Sequence, residues 1–188
     1  NTIPFSKISE YLDLLLLSIS ADLVHMTGEN RILAFFGLKR INTKPREGIR
    51  AMLKYLNLQG KIQTSDISFG LAPRINASGR VSHAKNAVKL LITKDSKTAN
   101  NIANIIEENN NERRSIDKEI THEAINKIDH NKASIIVYNS NWSKGVIGIV
   151  ASRILEKYYK PTIVFSSKNN ILTGSARSVS GFNIYEAI

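Results

Sequence analysis

Four places in this chain carry residue types suited to chemistry. Near the C-terminal end runs Gly174-Ser175-Ala176-Arg177-Ser178. There a glycine that admits close approach stands beside two hydroxyls and a guanidinium. Those groups grip a phosphate or carboxylate, the guanidinium bidentately; alone, the string reads equally as a polar hairpin end with an exposed arginine. Upstream, Arg74, Asn76 and Arg80 crowd together with no acidic residue between them, which suits phosphate contact or an ordinary solvated turn. Asp22 sits in the largely apolar run Ala21-Asp22-Leu23-Val24, where a bare buried carboxylate is prohibitive. It either caps the following segment or holds a metal ion, with His25 as a second candidate ligand. Gly145 and Gly148 stand where a helix would open, able to pack closely and to turn backbone N–H groups toward an anion.

The elements that must position these groups follow from periodicity. Residues 8–19 read as a largely buried helix, and a turn at Thr27–Asn30 leads into the next. A short helix follows from Ile49 to Leu56. Residues 65–80 read as a loop: Pro73 forces an extended approach and Gly79 permits a left-handed turn. A short amphipathic helix spans Ala84 to Ile92. Residues 97–129 form a long helical pattern, with Ala99, Ile102, Ala103 and Ile106 on one face early and Ile116, Ile120, Ala124 and Ile128 late. Between Glu107 and Ser115 nothing is apolar, which marks a solvent-bridging helix or a break; the reading is one bridging helix, with Asn109-Asn110-Asn111 as the place for a kink and Arg113 and Asp117 as an i, i+4 pair. From residue 133 the order is strand (134–138), helix (from Gly145 to Tyr158) and strand (162–165), a right-handed βαβ unit with a parallel pair. A turn at Asn169-Asn170 then returns Ile171-Leu172-Thr173 as a hairpin strand. The dinucleotide fingerprint is incomplete, so no nucleotide cofactor is expected.

The totals narrow the function classes. With no cysteine among 188 residues, disulfides, zinc-thiolate sites and thiol catalysis are excluded. The longest apolar run, Leu14–Leu17, is far short of the ~20 residues of a membrane span, and no signal peptide is visible; a cytoplasmic protein is expected, with no membrane partner. Asn1 and Ile188 read as cut ends of a longer protein, the latter inside a helix that starts near Asn183. The net charge of +10 favours a polyanionic partner. It is uneven: +1 over residues 1–48, +6 over 49–96, −1 over 97–132 and +4 over 133–188. Two basic bodies joined by a nearly neutral segment suggest a groove between lobes.

In order along the chain, four segments resemble the RecJ family, the single-strand-specific DNA exonucleases of the DHH phosphoesterase superfamily. They are 21–24 with 27–31, 69–80 (Phe-Gly-Leu-Ala-Pro-Arg-Ile-Asn-Ala-Ser-Gly-Arg), 142–153 (Trp-Ser-Lys-Gly-Val-Ile-Gly-Ile-Val-Ala-Ser-Arg) and 174–178. The resemblance implies an α/β fold of two lobes joined by a long helix, the C-terminal lobe built on a βαβ unit with a mixed sheet. Residues 1–95 would be the C-terminal part of a DHH catalytic domain, 96–132 the connecting helix and 133–188 most of a DHH-associated nucleic-acid-binding domain. It also implies roles. Asp22 would be a catalytic ligand to Mn²⁺ or Mg²⁺, and Arg74, Asn76 and Arg80 would contact the backbone or scissile phosphate. Ser175 and Arg177, with Gly174, Gly145 and Gly148 beside them, would bind phosphate at the strand end.

The implied activity is 5′-to-3′ hydrolysis of single-stranded DNA in repair and recombination, with single-strand-binding protein as a further partner. The family usually has histidine where this chain has Ser143, which puts that group's contribution in doubt. The Asp-x-Asp pair, further aspartate and Asp-His-His triplet that complete the family's metal site are absent from these residues, so the piece alone is expected to bind nucleic acid without cleaving it. Two alternatives stand beside this reading: a DHH-type phosphodiesterase for short oligonucleotides or cyclic dinucleotides, and a non-catalytic single-strand-binding module.

Overall fold

The computed structural model describes residues 4–22, 24–58, 60–81 and 84–188, without the side chains of Phe5 and Ser6. The chain is mixed α/β and divides into two compact units, Asn1–Asn110 and Asn111–Ile188. No helix among the described residues is long and apolar enough to cross a membrane.

The first unit is helical. α1 (Phe5–Ser9), α2 (Leu12–Ala21), α3 (Gly28–Thr43) and α4 (Glu47–Leu53) are followed by a 3₁₀ turn at Lys54–Leu56. The apolar stretch of α2 buries Leu16 and Leu17 in a core with Ile41, Ile49, Met52, Ile67, Leu71 and Leu90. The carboxylate inside that stretch, Asp13, is fully buried. Arg46 answers it with a two-pronged contact, Nε to Oδ2 and Nη2 to Oδ1, both at 2.8 Å. The same guanidinium also donates to the carbonyls of Glu10 and Leu91.

The stretch 65–80 is not a loop. Asp66–Leu71 is a π-helical segment that runs directly into α5 (Ala72–Val81), and Gly79 lies within the helix. Pro73 has no N–H to donate, and its ring collides with a carbonyl one turn back in a regular α-helix. The widened π turn relieves that collision, and the N–H of Ala72 bonds five residues back to Ile67. α6 (Lys85–Ile92) then packs its apolar stripe inward through Ala87 and Leu90.

α7 (Ser96–Ile125) is unbroken through Asn109–Asn111. Asp95 starts it, its carboxylate accepting the Thr98 N–H at 2.8 Å; hydrogen bonds from Thr98 hold that carboxyl below its usual value. Ala99, Ile102, Ala103 and Ile106 join the first core, and Ile120 and Ala124 join the second. The polar middle is not wholly solvated, because Asn110 and Asp117 are both buried.

In the second unit β1 (Ile135–Tyr138), α8 (Ile147–Tyr158), β2 (Thr162–Lys168) and β3 (Ile171–Arg177) form a three-stranded mixed sheet in the order β1-β2-β3. β1 and β2 are parallel and joined through α8, and β2 and β3 form an antiparallel hairpin. Asn169 and Asn170, at φ of 52° and 60°, make the left-handed two-residue turn that matches strand twist. Residues 184–187 make a turn, not the expected helix start. The second core gathers Val137, Trp142, Val146, Val150, Ile154 and Val164 around α8.

Candidate phosphate cradle

Strand register decides which side chains of β3 meet α8. Val164 is buried in the core and pairs with Ser175, and Thr162, also buried, pairs with Arg177. Cross-strand partners share a face, so Ser175 and Arg177 lie on the α8 side of the sheet and Gly174 on the other.

On the α8 side they meet the first turns of the helix. Arg177 Nε donates to Ser152 Oγ at 3.0 Å, and Nη1 donates to Ser175 Oγ at 3.2 Å and to the Ala176 carbonyl at 2.7 Å. Ser152 Oγ donates in turn to the Gly148 carbonyl at 3.1 Å. A Cβ built on Gly148 would lie 3.1 Å from Ser175 Oγ and 3.5 Å from Arg177 Nη2, so that glycine is what lets β3's polar groups settle on the helix. Among the described residues no carboxylate lies within ion-pairing distance of Arg177, and Nη2 has no hydrogen-bond partner. An oriented cation beside two hydroxyls has the chemistry to receive an anion.

The remaining expected residues fall differently. Gly174 does not open space for a ligand: a Cβ there would lie 2.5 Å from the Phe165 ring, its partner on β2. Its lack of a side chain serves packing between strands. Gly145 lies before α8, in the turn where Val146 and Ile147 N–H both donate to the Ser143 carbonyl. Two of the N–H groups expected to face an anion are therefore already used.

In the first unit, Arg74 is not an unpaired cation. Its Nε lies 2.6 Å from Glu107 Oε2 on α7, and Nη1 donates to the Gly70 carbonyl. The partner stands 33 residues away, beyond the reach of a local reading. Asn76 and Arg80 are exposed on α5 at i, i+4 spacing. Asp22 is exposed at the C-terminal end of α2, and His25 is exposed too; Leu23, between them, lies outside the described residues. Among the described residues no group of three or more His, Cys, Asp or Glu could hold a metal ion. The residues present do not by themselves fit one.

Three positioning contacts were missed from sequence. Ser152, inside the third motif, accepts a hydrogen bond from Arg177 Nε. Asp117 on α7 meets Arg153 at 2.8 Å; burial pushes its carboxyl up, against the opposing pull of Arg153 and Arg113. Glu123 accepts the indole N–H of Trp142 at 2.8 Å while Lys127 lies over the ring, and Ser166 Oγ donates to the Trp142 carbonyl. A buried tryptophan N–H demands an acceptor, which was a usable signal; the choice of Glu123 was not.

Residues 131–188 match the DHHA1 domain family. Over about 95% of the chain there is similarity to single-stranded-DNA-specific exonucleases. The single-stranded-DNA-specific exonuclease RecJ of Bacillus subtilis is 37% identical over 185 residues, covering 95% of this chain and 24% of that protein. The chain is similar to a segment of RecJ. The crystal structure of RecJ in complex with Mg²⁺ from Thermus thermophilus superposes with a TM-score of 0.87 at 30% identity, over 95% of this chain and 28% of that one. A structure of exonuclease RecJ bound to manganese gives 0.82 at 30% identity, over 95% of this chain and 45% of that one. The chain spans about a quarter to a third of the length of the curated RecJ relatives it matches.

Proposed function

We propose that this chain is the phosphate-holding and connecting part of a single-strand-specific DNA exonuclease that hydrolyses phosphodiester bonds from the 5′ end, in the cytoplasm, in repair and recombination. The observation that carries this is the Arg177–Ser175–Ser152–Gly148 cluster, a cation oriented by hydroxyls with no carboxylate among the described residues to neutralise it. Such a site binds a strand through its phosphate and is indifferent to base identity. Residues 1–95 would be the end of the DHH domain, 96–132 the connecting helix and 133–188 most of the DHH-associated domain. Asp22 would lend one carboxylate to a divalent-metal site whose other ligands come from elsewhere, in keeping with the Mg²⁺ and Mn²⁺ of the RecJ structures. Asn76 and Arg80 would touch the strand backbone. Single-strand-binding protein would be a partner of the whole enzyme, and no nucleotide cofactor takes part.

The test is binding of the 188-residue chain to single-stranded DNA with a 5′-phosphate and with a 5′-hydroxyl, across a salt series, beside Arg177→Ala. Preference for the phosphate should vanish in the variant, and the salt slope should fall by about 0.7, the share of one phosphate contact on a single strand. Equal binding by variant and parent would make the +10 charge a diffuse attraction and remove the anchor.

A further inference from the structure

We infer that Ser152 is the positioning residue of the cradle: it sets the Arg177 guanidinium so that Nη2 faces the terminal phosphate. The inference rests on the phosphate reading above and gives one member of that cluster, Ser152, its role. Ser152 has one proton and two lone pairs. Its proton goes to the Gly148 carbonyl four residues back, the i−4 bond that helical serines favour. The lone pairs are thereby turned toward β3, where Arg177 Nε donates at 3.0 Å.

Arginine has five N–H donors in a rigid fork. Nε is fixed by Ser152 and Nη1 by Ser175 and the Ala176 carbonyl. Two fixed points in a planar group leave only one orientation, and that orientation puts Nη2 beside the bare Cα of Gly148. Arg177 is exposed, and an exposed arginine without such anchors would lose rotamer freedom on each binding event. Ser152 removes that loss beforehand, so the guanidinium meets its ligand already oriented.

The ligand this favours is a monoester phosphate at a strand end. Its extra charge and its third unesterified oxygen can engage Nη2 and Ser175 Oγ together, where an internal diester offers two oxygens and one charge. The quantity to follow is therefore the ratio of affinities for 5′-phosphorylated over 5′-hydroxyl single-stranded DNA, not the overall affinity.

The experiment measures that ratio for the 188-residue chain and for Ser152→Ala, Ser152→Thr, Arg177→Ala and the Ser152→Ala/Arg177→Ala double variant. Ser152→Ala should lower the ratio about five- to tenfold, the scale of one ordinary net hydrogen bond. Ser152→Thr keeps the hydroxyl and its i−4 bond and should restore the ratio to within about twofold, a small difference on that same scale. In the Arg177→Ala background the serine substitution should change nothing further. Loss of the ratio in Arg177→Ala with no change in Ser152→Ala would overturn the role of Ser152 and leave the cradle standing. An unchanged ratio in Arg177→Ala would overturn the cradle itself. A fall in Ser152→Ala that persists undiminished in the double variant would show the serine acting on the fold and not through Arg177, which also overturns the inference.

Discussion

A methyl group added at Gly148 would sit 3.1 Å from Ser175 Oγ and 3.5 Å from an Arg177 nitrogen, inside the space the cradle occupies. The same substitution replaces a glycine in the first turn of a helix with the best helix former, worth up to about 1 kcal/mol in a helix interior. The two effects act on different observables. Gly148→Ala should leave the thermal midpoint of the chain unchanged or raised, while preference for 5′-phosphorylated DNA falls by several-fold. Melting curves and the binding ratio on one preparation decide it; a lowered midpoint with the ratio intact would mean that the glycine serves packing alone. At this scale the sequence was partly legible. Ser175 and Arg177 announced themselves by type and adjacency. Ser152 did not, because its contact with Arg177 depends on β3 folding back onto α8, and a serine in a helix has no signature of its own. Gly174 read as a point of close approach for a backbone or a ligand, and what approaches it in the structure is the Phe165 ring, a fact of register that spacing alone does not carry.

Helices and strands were more legible than the contacts that tie them together. The apolar stripes of α7, the βαβ order and the Asn169-Asn170 turn all follow from periods of 3.6 and 2 and from turn chemistry. The misread stretch is 65–80, where Pro73 and Gly79 suggested a loop and a π turn instead let the helix pass Pro73. Asp13 appeared only as an interruption in the apolar run of α2. In the structure it is the buried anion that Arg46 grips while bonding the carbonyls of Glu10 and Leu91. Removing one partner of a buried pair strands the other charge, so Asp13→Ala should cost about 3–5 kcal/mol, measured as a fall in the urea midpoint. Asp117 makes a different prediction. Burial raises its carboxyl above the ordinary value, so the native chain holds that proton to higher pH than the unfolded chain does. Between the two values the native state binds more protons, and stability falls as pH rises. Below that window the penalty is absent and above it complete. Asp117→Asn should flatten this slope in a series of urea titrations from pH 4 to pH 7; an unchanged slope would assign it to other groups.

For the molecule as a whole, the sequence showed two bodies of uneven charge, and the structure has two compact units with separate cores. What the 188 residues hold and lack sets the last expectation. They hold an oriented cation, Arg177, in the second unit and exposed Asn76 and Arg80 in the first. Among the described residues they lack any cluster of carboxylates and histidines able to seat a metal, and Asp22 stands exposed and alone in that respect. Two-metal phosphodiester hydrolysis needs ligands on both sides of the scissile phosphate, and one carboxylate supplies neither the charge nor the geometry. The chain should therefore retain 5′-phosphorylated single-stranded DNA on a filter or in a gel and release no nucleotide from it, with Mn²⁺ or Mg²⁺ at millimolar concentration. Adding metal should not tighten binding either, because no metal bridge forms between protein and strand. Cleavage that depends on Mn²⁺ and disappears in Asp22→Ala would show that these residues assemble a working site on their own, and the division of labour proposed for the larger enzyme would fall. Binding without cleavage, lost in Arg177→Ala and untouched in Asp22→Ala, would separate holding the strand from cutting it and place the first task in the second unit.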